Sequence, residues 1–158
     1  MIKVIGIDPG LADTGIGIVR GSGLAVDGYA YGTITTVKSE SVACRLAQIH
    51  AKVCRVLADE RPDLMVLEDV FSLEKYPQSG IVLGKVCGVL LLASTQSQIP
   101  LIEVPVRQAK QILTGNGRAS KQQLERAVRN TLGAPGPIRP FHASDALGLA
   151  LIGLFRHR

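Results

Sequence analysis

Apolar residues follow two spacings along this chain, and each change of spacing marks a predicted element. A β-branched apolar run over 2–7 ends at Asp8, where a Pro-Gly pair turns the chain. Two more strand patterns follow at 14–20 and about 24–35, separated by a glycine-rich turn. Three strands joined by short turns predict an antiparallel meander, with the Asp8 carboxylate at the exposed end of a buried first strand.

The middle of the chain alternates helices and strands. Over 41–60, apolar residues recur every three or four positions between charges, which predicts an amphipathic helix. The continuous apolar run over 63–69 closes in acid at Glu68, the pattern of a parallel strand that is covered on both faces. An apolar helix over 80–98 and a short strand over 100–104 follow.

The last third of the chain predicts helices. A short helix over 106–113 ends at a glycine-rich turn, and Ser120 opens the next helix with a capping box that Gln123 completes. After the proline-rich loop 133–140, apolar periodicity marks a final helix, with Asp145 in its first turn.

This order of elements predicts an α/β fold with a mixed five-stranded sheet flanked by helices. Strands joined by helical crossovers run parallel, so the first, fourth and fifth strands should be central, with the meander at one edge. Ligand sites in such sheets lie at the carboxyl ends of the strands. Asp8 and Glu68 are therefore expected to be neighbours.

A third acid, Asp145, belongs with this pair. Helix positions three apart share a face, so His142 and Asp145 address one point if the last helix extends back that far. Three carboxylates without a Lys or Arg among them repel, and a divalent cation is the usual remedy. Two such ions about 4 Å apart serve phosphodiester hydrolysis. Taken singly, each residue has an ordinary alternative as a turn, a helix start or a loop histidine.

The amino-acid composition indicates the kind of partner and the cellular compartment. The 158 residues predict one domain over 1–158, and 18 Lys and Arg against 13 Asp and Glu suit a polyanionic partner. With three Phe, three Tyr and no Trp, contact with nucleic acid should be mainly with its backbone. Cys44, Cys54 and Cys87 lack C-x-x-C spacing, which predicts reduced core thiols in a cytoplasmic protein. The longest apolar run, 86–93, is too short to span a bilayer, so no membrane is expected.

Four short patterns point to one family when they are taken together. They are G-I-D-P-G at the start, L-E-D-V-F after the fourth strand, R-Q-A-K-Q-I-L-T-G-N-G-R-A-S-K, and the closing H-A-S-D-A-L-G-L-A. In this order and spacing they strongly resemble the RuvC family of Holliday junction resolvases, over about residues 2–155.

The resemblance implies a ribonuclease-H-like fold, a homodimer, and paired symmetric nicks in a four-way DNA junction, with two Mg²⁺ or Mn²⁺ ions per active site. It also implies a branch-migration helicase as partner. Carried over by motif, Asp8, Glu68 and Asp145 are the metal-binding carboxylates, and His142 takes the fourth catalytic position, where members carry Asp or His. An imidazole there either favours Mn²⁺ as a metal ligand or acts as acid or base without binding metal.

Several residues are expected to contact DNA. Phe71, near a family loop that touches the junction centre, would stack on bases or wedge them open. Lys110 and Lys121 match basic positions of the family. Because glycine-rich turns and basic side chains position phosphates, we add three residues of this region, Arg107, Asn116 and Arg118. The ordinary alternatives are a partly buried loop aromatic and solvated surface charges.

The chain also departs from the family. A stretch usually resembling A-L-K-L-G-Q-A-R-G is here I-V-L-G-K-V-C-G, over 81–88, so a Lys moves and Cys87 replaces an Arg. This leaves contacts from that helix open, although Gly84 and Gly88 would let a second helix approach closely. The sequence indicates no preferred nicking site.

Two rival functions remain. The opening G-I-D-P-G-L-A-D-T-G-I-G also resembles the phosphate loop of the sugar-kinase, actin and heat-shock ATPase superfamily, which encloses ATP between two such subdomains where 158 residues supply one. The second rival is a catalytically idle junction-binding module. Retention of three acids and His142 argues against it.

Overall fold

The structure of the chain is a computed structural model, which describes residues 1–70 and 77–157. In these two ranges the strands are β1 Ile2–Asp8, β2 Asp13–Ser22, β3 Ala25–Thr35, β4 Leu64–Glu68 and β5 Leu101–Val104. The helices are α1 Val42–Glu60, α2 Pro77–Gln96, α3 Val106–Thr114, α4 Lys121–Leu132 and α5 Phe141–Arg156. Strands and helices follow one another in the predicted order, and Ser120 and Gln123 form the predicted capping box.

The strands form one mixed sheet in the order β3-β2-β1-β4-β5. β1 pairs antiparallel with β2, as does β2 with β3, whereas β4 pairs parallel with both β1 and β5. Because Ile7 is level with Leu67 in the parallel pair, the next residues, Asp8 and Glu68, reach the same edge of the sheet. The prediction of a mixed sheet with the meander at one side is confirmed, but β5, which was expected to be central, forms the opposite edge of the sheet.

Helices cover the two faces of the sheet with separate apolar clusters. On one face α5 packs with α3 and α4, and its residues from Ala146 to Leu154 are all buried. On the other face α1 and α2 contribute Ile49, Val53 and Leu90, among others. Since α5 is buried almost throughout, it is the central helix of the fold.

Small residues in β1 and β2 let α5 lie directly on the backbone of the sheet. A Cβ atom added at Gly6 would clash with the carbonyl oxygen of Ala146 and stand 2.6 Å from the backbone nitrogen of Ala150. A Cβ atom at Gly15 would clash with the carbonyl oxygen of His142. These opposing atoms are backbone, so they cannot move aside as a flexible side chain could. The helix that carries His142 is therefore held against the strands that flank Asp8.

Two helices begin earlier than predicted. α5 starts at Phe141, so Asp145 lies in the second turn and not in the first, and it shares a helix face with His142. α2 starts at Pro77, within the segment predicted as a loop. Proline suits a first turn because its missing N–H would have no partner inside the helix there.

The cysteines differ from the prediction in one respect. None forms a disulfide, and Cys54 and Cys87 are half-buried, but Cys44 is exposed. Cys44 lies in the first turn of α1, away from the buried face that Ile49 and Val53 mark. The expectation of a core thiol is wrong at this position.

The surface of α2 is unusually apolar. The stretch Gln78–Gln96 is long and apolar enough to cross a membrane by length and composition, and 22% of it is buried. The expectation of no membrane rested on the apolar run 86–93 alone and did not consider the length of the whole helix. Its exposed apolar side chains include Ile81, 62% exposed, and Leu92, 51% exposed. Exposed apolar side chains along one helix are typical of a site of interaction.

The close packing of α5 predicts that β1 tolerates no side chain at Gly6. Gly6→Ala should lower the free energy of unfolding by about 1–3 kcal/mol, because the methyl group forces the helix off the sheet. Gly32→Ala, in β3, is the matched control, since a Cβ atom there meets nothing within 4 Å. Urea denaturation measures both variants, and equal midpoints would contradict the close-packing account.

Candidate active site

A cleft of about 870 Å³ opens at the carboxyl ends of β1 and β4. Each wall comes from a different element: the strand ends supply two acids, α5 supplies two more polar residues, and α3 and α4 supply cations. The lining thus brings together all four catalytic candidates, Asp8, Glu68, His142 and Asp145, and three of the basic ones, Arg107, Lys110 and Lys121.

Two buried threonines hold the turn that follows Asp8. Thr14 Oγ1 donates a hydrogen bond to the carbonyl oxygen of Gly10 at 2.7 Å, and Thr36 Oγ1 donates to that of Leu11 at 2.6 Å. Both threonines are almost fully buried. Sequence reasoning missed them, although a threonine within an apolar strand pattern was a signal, because a buried hydroxyl needs a partner.

His142 is hydrogen-bonded to Asp8. Its Nδ1 lies 2.8 Å from Asp8 Oδ2. This bond raises the pKa of His142 above its ordinary value, while partial burial opposes the rise. An ionised Asp8 accepts from Nδ1–H, which fixes the ring and leaves Nε2 as the nitrogen available to substrate or solvent.

The carboxyl groups of Glu68 and Asp145 hold their protons tightly. Burial, hydrogen bonding to Asp8 and the negative charges of Asp8 and Asp145 raise the pKa of Glu68 to about 9, against the opposing charge of Lys110. Burial and the charge of Asp8 raise the pKa of Asp145 to about 6. The three acids therefore repel one another across the cleft, and each proton they retain relieves that repulsion.

These acids suit a divalent cation for two reasons: they offer carboxylate oxygens as ligands, and one buried carboxylate oxygen has no hydrogen-bond partner among the described residues. Asp145 Oδ1 is buried and has no hydrogen-bond partner among the described residues. Carboxylate oxygens are the ligands that Mg²⁺ and Mn²⁺ prefer. Within residues 1–70 and 77–157, no three His, Cys, Asp or Glu side chains already form a cluster that could hold an ion. The side chains must therefore adjust as a cation binds.

The remaining DNA-binding candidates are not all in the cleft. Asn116 and Arg118 lie on the turn between α3 and α4, where the backbone N–H of Arg118 donates to Asn116 Oδ1 at 2.9 Å. Neither lines the cleft, whereas Gln108 and Gln111, which sequence reasoning missed, do. Phe71 lies outside the described residues.

Cys87, which stands where the family resemblance expects an arginine, is not a reactive thiol. Burial, with the negative charges of Glu103 and Glu68, raises the pKa of Cys87 to about 11. The thiol is therefore protonated at neutral pH, and a protonated thiol is a poor nucleophile and metal ligand.

Comparisons with known proteins agree on one family. The family model described as crossover junction endodeoxyribonuclease RuvC matches residues 4–153. The RuvC of Syntrophomonas wolfei is 34% identical over 157 residues, covering 99% of this chain and 91% of that protein. The RuvC of Geobacter metallireducens is 37% identical over 150 residues, covering 95% and 90%.

Solved structures agree as well. Thermus thermophilus RuvC in complex with Holliday junction substrate aligns with a TM-score of 0.89 at 32% identity, over 98% of this chain and 94% of that one. The yeast mitochondrial Holliday junction resolvase Ydc2, 12% identical with a TM-score of 0.65, shares the fold. The predicted ribonuclease-H-like fold class is confirmed. With a family model matched over most of its length and relatives above 30% identity, the chain belongs to the family of RuvC crossover junction endodeoxyribonucleases.

Proposed function

We propose that residues 1–158 form one nuclease domain that resolves four-way DNA junctions by paired symmetric nicks, in recombination and repair in the cytoplasm. The observation that carries the proposal is the meeting of four polar side chains in one cleft beside three basic ones. Family membership supports the reaction, and the relative solved with a Holliday junction substrate supports the choice of DNA. The same membership supports a complex with a branch-migration helicase.

We assign the metal site to Asp8, Glu68 and Asp145. Two bound Mg²⁺ or Mn²⁺ ions would activate a water molecule and stabilise the departing oxygen of a phosphodiester. The backbone that carries these ligands is rigid, because Asp8 and Glu68 end neighbouring central strands and Asp145 stands on a buried helix, so only the side chains adjust as a cation binds. Burial and, after it, the charges of the neighbouring acids raise the pKa of Glu68 and Asp145, and the repulsion among these acids is relieved when positive charge enters the cleft.

We assign His142 to proton transfer at Nε2. Its Nδ1 is engaged by Asp8 at 2.8 Å, and the side chain is 44% exposed, so the ring is oriented while Nε2 stays available. As the oxygen of the attacking water bonds to phosphorus, a proton passes to Nε2 and the bond from phosphorus to the leaving oxygen breaks. In the alternative, Nε2 is itself a metal ligand and makes the protein prefer Mn²⁺.

Lys110, Lys121 and Arg107 are proposed to hold the DNA backbone over the acids. They line the same cleft as the carboxylates but come from α3 and α4. Their positive charges attract a phosphate that enters the cleft. Asn116 and Arg118 would meet the backbone from the adjoining turn. Phe71 keeps its proposed place at the bases of the junction centre.

We propose that α2 forms the interface of a homodimer. Ile81, Gly84, Gly88 and Leu92 follow one another at helical spacing on its exposed side. A Cβ atom at either glycine would meet nothing within 4 Å, so a second helix could approach this face closely. A dimer would also cover apolar surface and place two active sites on one junction, as paired nicks require.

The rival readings fit less well. An ATP site of the actin type needs a second subdomain facing the first, and the described residues form one sheet with one set of flanking helices. An idle binding module has no use for repelling acids in a cleft, because such acids weaken DNA binding unless they hold cations.

Cleavage of a synthetic four-way junction tests the proposed function. The wild type should nick it symmetrically in Mg²⁺ or Mn²⁺ and leave linear duplex intact, and EDTA should abolish cleavage. Asp8→Asn should lower the rate at least about a hundredfold, since it removes a metal ligand and the partner of His142. Gel analysis of end-labelled strands measures both.

Asp27→Asn, an equal change of charge on an exposed residue of β3, is the control and should cleave like the wild type. Junction binding without cleavage in either metal would exclude a nuclease and favour the idle module. Activity in Mn²⁺ but not in Mg²⁺ would favour His142 as a metal ligand.

Stability without metal should fall as the pH rises. The folded chain holds the Glu68 proton up to a pKa of about 9 against an ordinary 4.5, and the Asp145 proton up to about 6 against 3.8. Between these values the folded state binds more protons than the unfolded state, so the free energy of unfolding decreases with pH. Thermal melting in EDTA from pH 5 to 9 measures the loss, which Mg²⁺ or Mn²⁺ should reverse at high pH.

Glu68→Gln provides the comparison, because it removes the group with the largest shift. Its melting temperature in EDTA should depend less steeply on pH than that of the wild type. If the melting temperatures of the two proteins change equally with pH, protonation of Glu68 is not the cause of the pH dependence.

A charge placed on α2 should dissociate the dimer. Leu92→Glu puts a carboxylate within the proposed interface, where burying it unpaired is costly. Leu24→Glu is the control, since Leu24 is 79% exposed on the turn between β2 and β3. Light scattering should give twice the chain mass for wild type and control and the monomer mass for Leu92→Glu. A monomeric wild type at micromolar concentrations would contradict the proposed dimer.

A further inference from the structure

We propose that a second groove, beside the cleft, binds the sugar-phosphate backbone of a junction arm, with Arg126 as its principal contact; this rests on the proposed function. The α4 groove, as we call it, has a volume of about 420 Å³ and lies between α4 and the end of α3. It is separate from the cleft of the four catalytic candidates, with which it shares no lining residue.

The polar walls of the α4 groove suit phosphates. Gln123, Arg126 and Asn130 lie three and four positions apart, so they project from one face of α4. Thr114 and Asn116 form the facing wall. The side-chain amides and the Arg126 guanidinium offer hydrogen-bond donors, whereas the Thr114 hydroxyl already donates to the carbonyl oxygen of Lys110. The lining contains neither a carboxylate nor an aromatic ring on which a base would stack. Such a surface positions a backbone and does not read bases.

Charge is segregated onto this part of the molecule. Between residues 105 and 144 the sequence has a single acid, Glu125, against the basic residues Arg107, Lys110, Arg118, Lys121, Arg126, Arg129 and Arg139. Elsewhere in the chain acidic and basic residues are nearly balanced. The region therefore attracts polyanions far more strongly than the modest net charge of the whole chain suggests.

The one acid of this region is fully occupied and cannot neutralise Arg126. Glu125 is 3% exposed and lies 3.2 Å from Arg129 Nε and 3.9 Å from Arg139 Nη1. It also accepts a hydrogen bond from the backbone N–H of Ile138 at 3.0 Å. Arg126 is exposed and makes no ion pair with any described residue. Its charge is available to a ligand.

The α4 groove continues the surface of the cleft. The turn between α3 and α4 separates the two, and Gln111 holds it by donating to the carbonyl oxygen of Gly115 and accepting from the N–H of Gly117, both at 3.0 Å. Gln111 lines the cleft, whereas Asn116, inside the same turn, lines the groove. One DNA backbone can therefore run from the cations of the cleft over a fixed turn to Arg126.

Salt dependence of junction binding tests this inference. Arg126→Ala should weaken binding at physiological salt and reduce the slope of log affinity against log salt by about one unit, because one phosphate contact is lost. Arg126→Lys should restore most of the slope.

Arg55→Ala is the matched control. Arg55 is an exposed arginine of α1, on the opposite face of the sheet, with a side chain 85% exposed, so its loss changes net charge equally without touching the α4 groove. Fluorescence anisotropy on a labelled junction measures all four proteins, and their melting temperatures verify folding.

The outcomes separate this inference from the proposed function. If the wild type binds and cleaves the junction and Arg126→Ala has the same slope as Arg55→Ala, the α4 groove does not contact DNA, and the proposed function stands. If the wild type neither binds nor cleaves the junction, both are overturned.

Discussion

The contact of α5 with the bare backbone of β1 and β2 is the constraint on which the site depends. Gly6 and Gly15 leave no space between helix and sheet, so the height of α5 over the strands is set by backbone atoms. His142 and Asp145 thereby reach the strand end that carries Asp8, although most of the chain separates them in sequence. An enzyme that must hold metal ligands within fractions of an ångström gains precision from contacts that cannot relax.

Holding the three carboxylates close together concentrates negative charge in the cleft, and the fold alone does not neutralise it. Burial and the neighbouring negative charges raise the pKa values of Glu68 and Asp145, so full ionisation of these acids is unfavourable. A histidine at position 142 adds no negative charge of its own and hydrogen-bonds Asp8. An aspartate in its place would add a fourth carboxylate to the repulsion. The histidine thus lets the cleft stay folded with less positive charge bound.

Sequence patterns predicted the mixed sheet with its meander at one edge and the meeting of Asp8 with Glu68, because strand periodicity is local and strands joined by a helical crossover run parallel. They misplaced β5, which is an edge strand and not a central one. They could not locate the start of α5, since Pro140 and Phe141 carry no side-chain cap that marks a helix boundary. Nor could they find Thr36, whose hydroxyl matters only through the carbonyl group of Leu11, which the fold brings to it from 25 residues away. Asp145 was proposed from its place near the start of the last helix, although that start was misplaced, and the family motif then led to the same residue.

The two faces of the sheet have different physical characters, and this division suits the two proposed partners, DNA and a second copy of the chain. The face covered by α5 carries the cations of α3 and α4, whose charge acts at a distance and weakens with salt. The face covered by α1 and α2 presents an apolar helix, whose attraction is short-ranged and largely indifferent to salt. DNA approaching the first face therefore competes little with a protein partner for the second. Raising the salt should release DNA well before it separates subunits held through α2.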